Sequence, residues 1–181
     1  NGPVWQPASG ISGGALLFDG INDYVEIPGY KGITGTAART CMAWVKTSSS
    51  QYGNILTWGS EQNGQKWMFR VEPNGALAVG VWGGYINSTA VVNDGQWHHV
   101  AAVLSNDVNP NVSDIRLYID GQLQEASASN TQAINTAPGQ QNVIIGATEN
   151  AGVLSACFSG LLDEVRIYNR AMNQDERMEV Y

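Results

Sequence analysis

Lysine occurs at only three positions, Lys31, Lys46 and Lys66, and nine basic residues in all face sixteen acidic ones, a net charge of −7. That balance argues against nucleic acid or an anionic membrane surface as partner, because clustered Lys and Arg would be needed to displace counterions. Neutral ligands or cations suit it better. No apolar run approaches the roughly 20 residues of a membrane span, and no basic segment followed by an apolar one opens the chain. Membrane insertion is not expected, and any export signal would lie on a longer precursor. Helix formers are scarce too. Only 14% of residues are charged, whereas 21 glycines and many Asn, Ser and Thr supply turns, which is the composition of a many-turned β protein.

Cysteine is limited to Cys41 and Cys157. An even count in an extracellular-looking composition predicts a structural disulfide between them, the alternative being two buried free thiols. Neither cysteine has basic residues nearby, so nothing points to a thiol nucleophile.

What is present is period-two alternation broken by Gly, Asn and Pro, the pattern of a sandwich or barrel. Strands are predicted at 14–18, 23–27, 39–47, 54–58, 66–72, 76–82, 86–92, 97–105, 114–120, 143–147 and 156–168. Asn74-Gly75 and Asp120-Gly121 read as hairpin turns with positive φ at both central residues. One helix is expected at the end, with Asn173 capping it and Glu176 three residues on, packed against the sandwich edge. The longest stretch without a strand signal is 125–142. No repeat or linker divides the 181 residues, so one domain is expected.

The blocks "GGALLFDGINDYVEIP", "TCMAWVKT", "DGQWHHVAAVLS", "LYIDGQL" and "FSGLLDEVRIYNRAMNQDE" resemble, in order and spacing, the laminin-G-like domains of the concanavalin A-like superfamily, of the bacterial type related to pentraxins. The resemblance covers nearly the whole chain. It implies a jelly-roll sandwich of two antiparallel sheets, used as a module of secreted or cell-surface proteins. Family members usually begin with a further strand, whereas this chain starts at "NGPVW", so it is expected to be cut from a larger protein.

The resemblance also implies structural Ca²⁺, with Asp19 and Asp163 as ligands and Asn22 and backbone oxygens nearby. Alternation places Asp163 on the face of Val165 and Ile167, where a carboxylate needs donors or a cation. Ca²⁺ accepts six to eight oxygens of these kinds. The alternative is a backbone-bonded turn at Asp19, with Asp163 paired to Arg39 or Arg166. The loop 105–114 fails as an EF-hand, since Val112 occupies the glycine position. His98 and His99 point to opposite faces of a strand and cannot chelate one ion side by side. One is read as packed and the other as surface.

Catalysis finds no support. Retaining glycoside hydrolysis needs two carboxyl groups about 5 Å apart, on a strand at alternating positions, and no such run occurs. Binding remains. Six Trp and seven Tyr accompany only three Phe, and amphipathic aromatics suit surfaces that stack on sugar rings. Trp5, Trp44 and Trp97 lie in the family's framework blocks and are expected in the core. Trp58, Trp67, Trp82 and Tyr85 are the candidate ligand contacts, with Glu61, Gln62, Asn63 and Asn87 as hydrogen-bonding partners for hydroxyl groups. The reading is a non-catalytic, lectin-like module for a polysaccharide or glycan, secreted or at the cell surface and stabilised by calcium. A protein-adhesion or spacer module binding a surface protein, and an atypical polysaccharide-active enzyme, are the alternatives.

Overall fold

The computed structural model describes residues 2–139 and 141–181. Among the described residues sixteen strands, one 3₁₀ turn (Val112–Asp114) and one short α-helix follow one another. The first group is β1 (Val4–Gln6), β2 (Ala15–Asp19), β3 (Val25–Ile27), β4 (Arg39–Lys46), β5 (Gly53–Gly59), β6 (Lys66–Val71), β7 (Ala76–Gly80) and β8 (Tyr85–Val91). The second is β9 (Trp97–Leu104), β10 (Ile115–Ile119), β11 (Gln122–Leu123), β12 (Ala126–Ser129), β13 (Val143–Ile145), β14 (Thr148–Asn150), β15 (Val153–Ser155) and β16 (Ser159–Tyr168), before α1 (Gln174–Met178). They form two seven-stranded antiparallel sheets, ordered β1-β2-β16-β4-β9-β10-β11 and β12-β8-β7-β6-β5-β13-β3, with β14 and β15 as a separate hairpin. This is the expected two-sheet jelly-roll sandwich.

Alternation builds the interior. Cys41, Ala43 and Val45 of β4 and Val100, Ala102 and Leu104 of β9 face Trp67, Phe69 and Val71 of β6 and Leu77 and Val79 of β7 in one apolar cluster. The opposite parity of the first sheet carries Met42, Ala101 and Tyr118, and these are covered by Met172 and Val180 of the C-terminal segment. The helix region therefore lies over the outer face of the first sheet, not along the sandwich edge. Asn173 caps it as expected, in a full capping box with Glu176.

Turn chemistry separates the hairpins. Asp120 and Gly121 both have positive φ, the expected type I′ geometry. At the β6–β7 hairpin only Gly75 does, and its N–H bonds to the carbonyl of Glu72. Pro73 precedes Asn74, and its locked φ near −65° forbids a primed turn there. A second left-handed pair, Trp82-Gly83, joins β7 to β8 at φ 58° and 91°. The segment 125–142, without a strand signal, contributes β12 at the rim of the second sheet, paired with β8.

The aromatics invert the expectation. Trp58 and Trp67 are 2% and 0% exposed and stack on each other at 5.7 Å, so they belong to the core and not to a ligand surface. Framework Trp5 is 60% exposed. Trp44 stacks on Tyr181 outside the first sheet. Burial pushes the pKa of the Cys41 thiol up to about 12, and the buried Trp67 indole N–H has no hydrogen-bond partner among the described residues. Cys41 and Cys157 are both free and buried, Cys41 in the central core and Cys157 in a satellite cluster with Ile144 and Ala147, so the expected disulfide is not formed.

The two histidines do diverge. His98 is held between Asp120, 2.7 Å from Nδ1, and Asp94, 3.1 Å from Nε2. Burial alone would lower its pKa, but these two carboxylates raise it. His99 is buried beside Trp44 and Tyr181, and burial lowers its pKa to about 4. Between pH 6.5 and 4 the unfolded chain therefore binds a proton at His99 that the folded chain refuses. His99 contributes stability above pH 6.5 that is lost as pH falls towards 4, by no more than about 3 kcal/mol. His98 acts oppositely, its contribution being lost as pH rises through its raised pKa. Urea unfolding between pH 7 and 4 should accordingly show a smaller acid-side loss in His99→Gln than in the parent; equal slopes would rule out a neutral buried His99.

Candidate functional site

The C-terminal segment closes the outer face of the first sheet, whereas the outer face of the second sheet carries a groove at β6 to β8. Register decides what stands there. Asn54, Arg70, Ala78 and Asn87 are successive cross-strand partners on β5, β6, β7 and β8, and Thr57, Met68, Gly80 and Tyr85 form the next row. Because side chains alternate, both rows point away from Trp67, Phe69 and Leu77.

A groove of about 510 Å³ lies on this face, lined by Asn63, Met68, Arg70, Gly80, Trp82, Gly83, Gly84, Tyr85 and Asn130. The small residue at position 80 decides how its floor is filled. A Cβ on Gly80 would stand 3.0 Å from both Arg70 Nη1 and Met68 Cε, so glycine lets these two long side chains lie across β7. Arg70 is fixed by Glu72, with Nε donating to Oε1 at 2.7 Å, and its guanidinium stands 5.4 Å from the centroid of the Tyr52 ring. In the same row, Asn54 and Asn87 each have a buried side-chain oxygen with no hydrogen-bond partner. Such a group costs about 1–3 kcal/mol, which makes this strip of the sheet expensive as pure scaffold.

The rim is aromatic and strained. Trp82 sits at φ 58° and Asn130 at φ 53°, both in the left-handed region and both lining the groove. For a bulky residue such as tryptophan this conformation is an outlier, of the kind that gathers at binding sites. Lys66 Nζ lies 5.5 Å from the centroid of the Trp82 ring and donates to Glu149 O at 3.0 Å and to Asn150 Oδ1. Burial lowers the pKa of Lys66. Tyr85 is 37% exposed at the β8 entrance.

Of the residues singled out in the sequence, Asn63, Trp82 and Tyr85 line this groove and Asn87 lies in its floor row. Glu61 does not join them. It lines a separate depression with Ser60, Gly139 and Gln141, and its Oε1 accepts from Ala151 N at 2.7 Å. Arg70, Met68 and Gly80 were missed, although the alternation of "KWMFRV" puts Lys66, Met68 and Arg70 opposite Trp67, Phe69 and Val71. That parity was the available signal. Asn130 had none, because its place depends on the path of a loop.

The expected calcium ligands do not converge. Asp19 pairs with Ser159, and Asp163 lies four residues further along β16, about 13 Å at a strand rise of ~3.3 Å. One ion, bound at 2.3–2.6 Å, cannot take both. Asp19 Oδ1 accepts from Ile21 N at 2.8 Å and Asn22 N at 3.2 Å, which lowers its pKa. Asp163 instead receives Ile11 N at 2.8 Å, Ser12 N at 3.2 Å and Glu164 N at 2.8 Å, tying the loop before β2 to β16. Neither arginine partners it: Arg166 pairs with Glu164, and Arg39 donates to carbonyls and to Thr136.

The chain is thus a two-sheet jelly-roll sandwich with a groove on the outer face of its second sheet. The family model of the concanavalin A-like lectin/glucanases superfamily matches residues 19–176, and the chain belongs to that family. Among curated proteins it is 28% identical over 132 residues to the sushi, von Willebrand factor type A, EGF and pentraxin domain-containing protein 1 of Rattus norvegicus, covering 72% of this chain but only 4% of that protein. Domain 4 of the extracellular arabinanase AbnA from Geobacillus stearothermophilus, in complex with arabinotriose, superposes with a TM-score of 0.69 at 19% identity, over 99% of this chain and 82% of that one. The CBM40 domain of the Ruminococcus gnavus IT-sialidase bound to α2,3-sialyllactose gives 0.63 at 17% identity, over 88% and 96%. At these identities the two structures show a shared fold. Among the described residues no helix is long and apolar enough to cross a membrane.

If the left-handed indole serves a ligand and not the fold, Trp82→Asn should be tolerated, since asparagine accepts this conformation. Urea unfolding is expected to find its stability within about 1 kcal/mol of the parent. A loss beyond about 2 kcal/mol would make Trp82 a structural residue.

Proposed function

We propose that the chain is a non-catalytic glycan-binding module of a secreted or cell-surface protein, and that glycan lies in the groove on the outer face of the second sheet. One observation carries this reading: Trp82, Tyr85, Arg70 and Asn63 converge on one groove at the outer face of the second sheet. Aromatic rings stack on the apolar faces of pyranose or furanose rings, while amide and guanidinium groups bond the hydroxyls at their edges. The arabinotriose and sialyllactose carried by two proteins of the same fold support it. A catalytic reading lacks its acids, since no Asp or Glu is among the groove's lining residues and glycoside hydrolysis needs two carboxyl groups flanking the bond. On a glycan array the protein should retain a subset of oligosaccharides, and Trp82→Ala and Tyr85→Ala should each weaken retention at least tenfold. Retention unaffected by both substitutions would move the site off this face, and release of shortened products would make the protein an enzyme.

Calcium is proposed only at the turn after β2. Asn22 Oδ1 is buried there with no hydrogen-bond partner; in the same turn the Asp19 carboxylate accepts from Asn22 N and that of the buried Asp23 accepts from Asp19 N. Two carboxylates and an amide oxygen are hard donors of the type Ca²⁺ accepts, with backbone and water oxygens completing its shell. Among the described residues no group of three His, Cys, Asp or Glu side chains could hold a metal, so the site would be held by few protein charges. An ion bound only by the folded state stabilises it. Removing Ca²⁺ with EDTA should lower Tm by a few degrees, restored by excess Ca²⁺ and absent in Asp19→Asn. A Tm indifferent to EDTA would remove the metal from this turn.

A further inference from the structure

Resting on the glycan-binding reading, we propose that the groove takes a sugar bearing a carboxylate, read by the Nη edge of Arg70. The protein is acidic overall, yet its groove is lined by no acid and by one cation, Arg70. A groove built for neutral sugars alone would be expected to offer carboxylates, because each hydroxyl donates as well as accepts and carboxylates are the strongest acceptors available. Here the only side-chain amides in the lining are those of Asn63 and Asn130.

The orientation of Arg70 sharpens the point. Its Nε is taken by Glu72 Oε1 at 2.7 Å, one face stands over the Tyr52 ring, and the missing Cβ of Gly80 makes room for Nη1. Among the described residues Nη1 meets only the weak thioether acceptor Met68 Sδ, at 3.9 Å, and Nη2 has no acceptor. A guanidinium held on three sides with its outer fork unused suits a planar, two-oxygen anion: the geometry matches a carboxylate in two parallel N–H···O bonds. Glu72 aligns the fork and leaves that edge free. Lys66, buried 5.5 Å from the Trp82 ring and bonded to Glu149 O and Asn150 Oδ1, does not line the groove, so Arg70 is the cation left to meet an acid group there. With a net charge of −7 on the whole chain, long-range attraction for anions is absent. Selectivity must come from this local contact.

Titration calorimetry of the whole chain tests the proposal, using α2,3-sialyllactose against lactose and trigalacturonate against a neutral trisaccharide. At least one acidic member should bind ten times more tightly than its neutral counterpart, and which of them does so separates a sialic acid from a uronic acid. Arg70→Lys keeps the charge but removes the fork, and it should erase that preference while leaving thermal unfolding in place. Equal affinity for acidic and neutral sugars, a preference for sulfated over carboxylated sugars, or a preference unchanged in Arg70→Lys would overturn the carboxylate inference and leave the glycan-binding reading standing. Failure to bind any sugar on an array would bring down both.

Discussion

A fully buried guanidinium organises this sandwich. Arg39 opens β4 with no exposed surface, and it donates to the carbonyls of Ile33, Gly35 and Ala37 and to the hydroxyl of Thr136. It also lies 6.0 Å and 5.1 Å from the ring centroids of Trp58 and Trp67. Burial lowers its pKa to about 10, which leaves it charged at neutral pH. A charge can be kept inside only when its donors are met, and here carbonyl dipoles and indole faces meet them instead of a carboxylate. The requirement pulls the 33–37 segment and the strand-linking residue Thr136 together. It also draws the largest aromatics of the second sheet inward.

That inward draw has a consequence for function. With Trp58 and Trp67 committed beneath the sheet, the alternating residues of the same strands, Lys66, Met68 and Arg70, must form its outer surface. On the first sheet the equivalent surface is closed by Met172, Val180 and Tyr181. On the second, carbonyls of the 147–156 segment bond Asn54, Thr57 and Lys66 on the β5 side, and a groove lined by Met68, Arg70, Gly80, Trp82 and Tyr85 lies beyond them. The two sides of one sandwich thus differ because the C-terminal segment can cover only one of them. The groove is what is left.

Strand positions were legible because alternation records burial directly. β4, β6, β9 and β16 fall within a residue or three of where "RTCMAWVK", "KWMFRV", "WHHVAAVL" and "SGLLDEVRIY" place them. The hairpin at Asp120-Gly121 was legible for the same local reason, since its two residues accept left-handed φ. Trp82-Gly83 was not, because tryptophan carries no such signal. Short pairs such as β14 with β15 are invisible in sequence: a three-residue strand holds too little alternation to distinguish from a loop. Residue class misled at the aromatics. Membership of a framework block does not say which face of a strand a tryptophan occupies.

What the sequence alone determined was the kind of protein: an all-β sandwich with a C-terminal helix, low in cations and with no alternating pair of acids along a strand, and with Trp82, Tyr85 and Asn63 among the candidate ligand contacts. These follow from period, composition and turn chemistry, which are local properties. Only tertiary structure decided that Cys41 and Cys157 stay apart, that Asp19 and Asp163 serve different turns, and that Arg70 shares a groove with Trp82. Each of those depends on register between strands distant in sequence, where one residue of slip reverses every side chain. Register is set by the packing of both sheets at once, so no single stretch of the chain contains it.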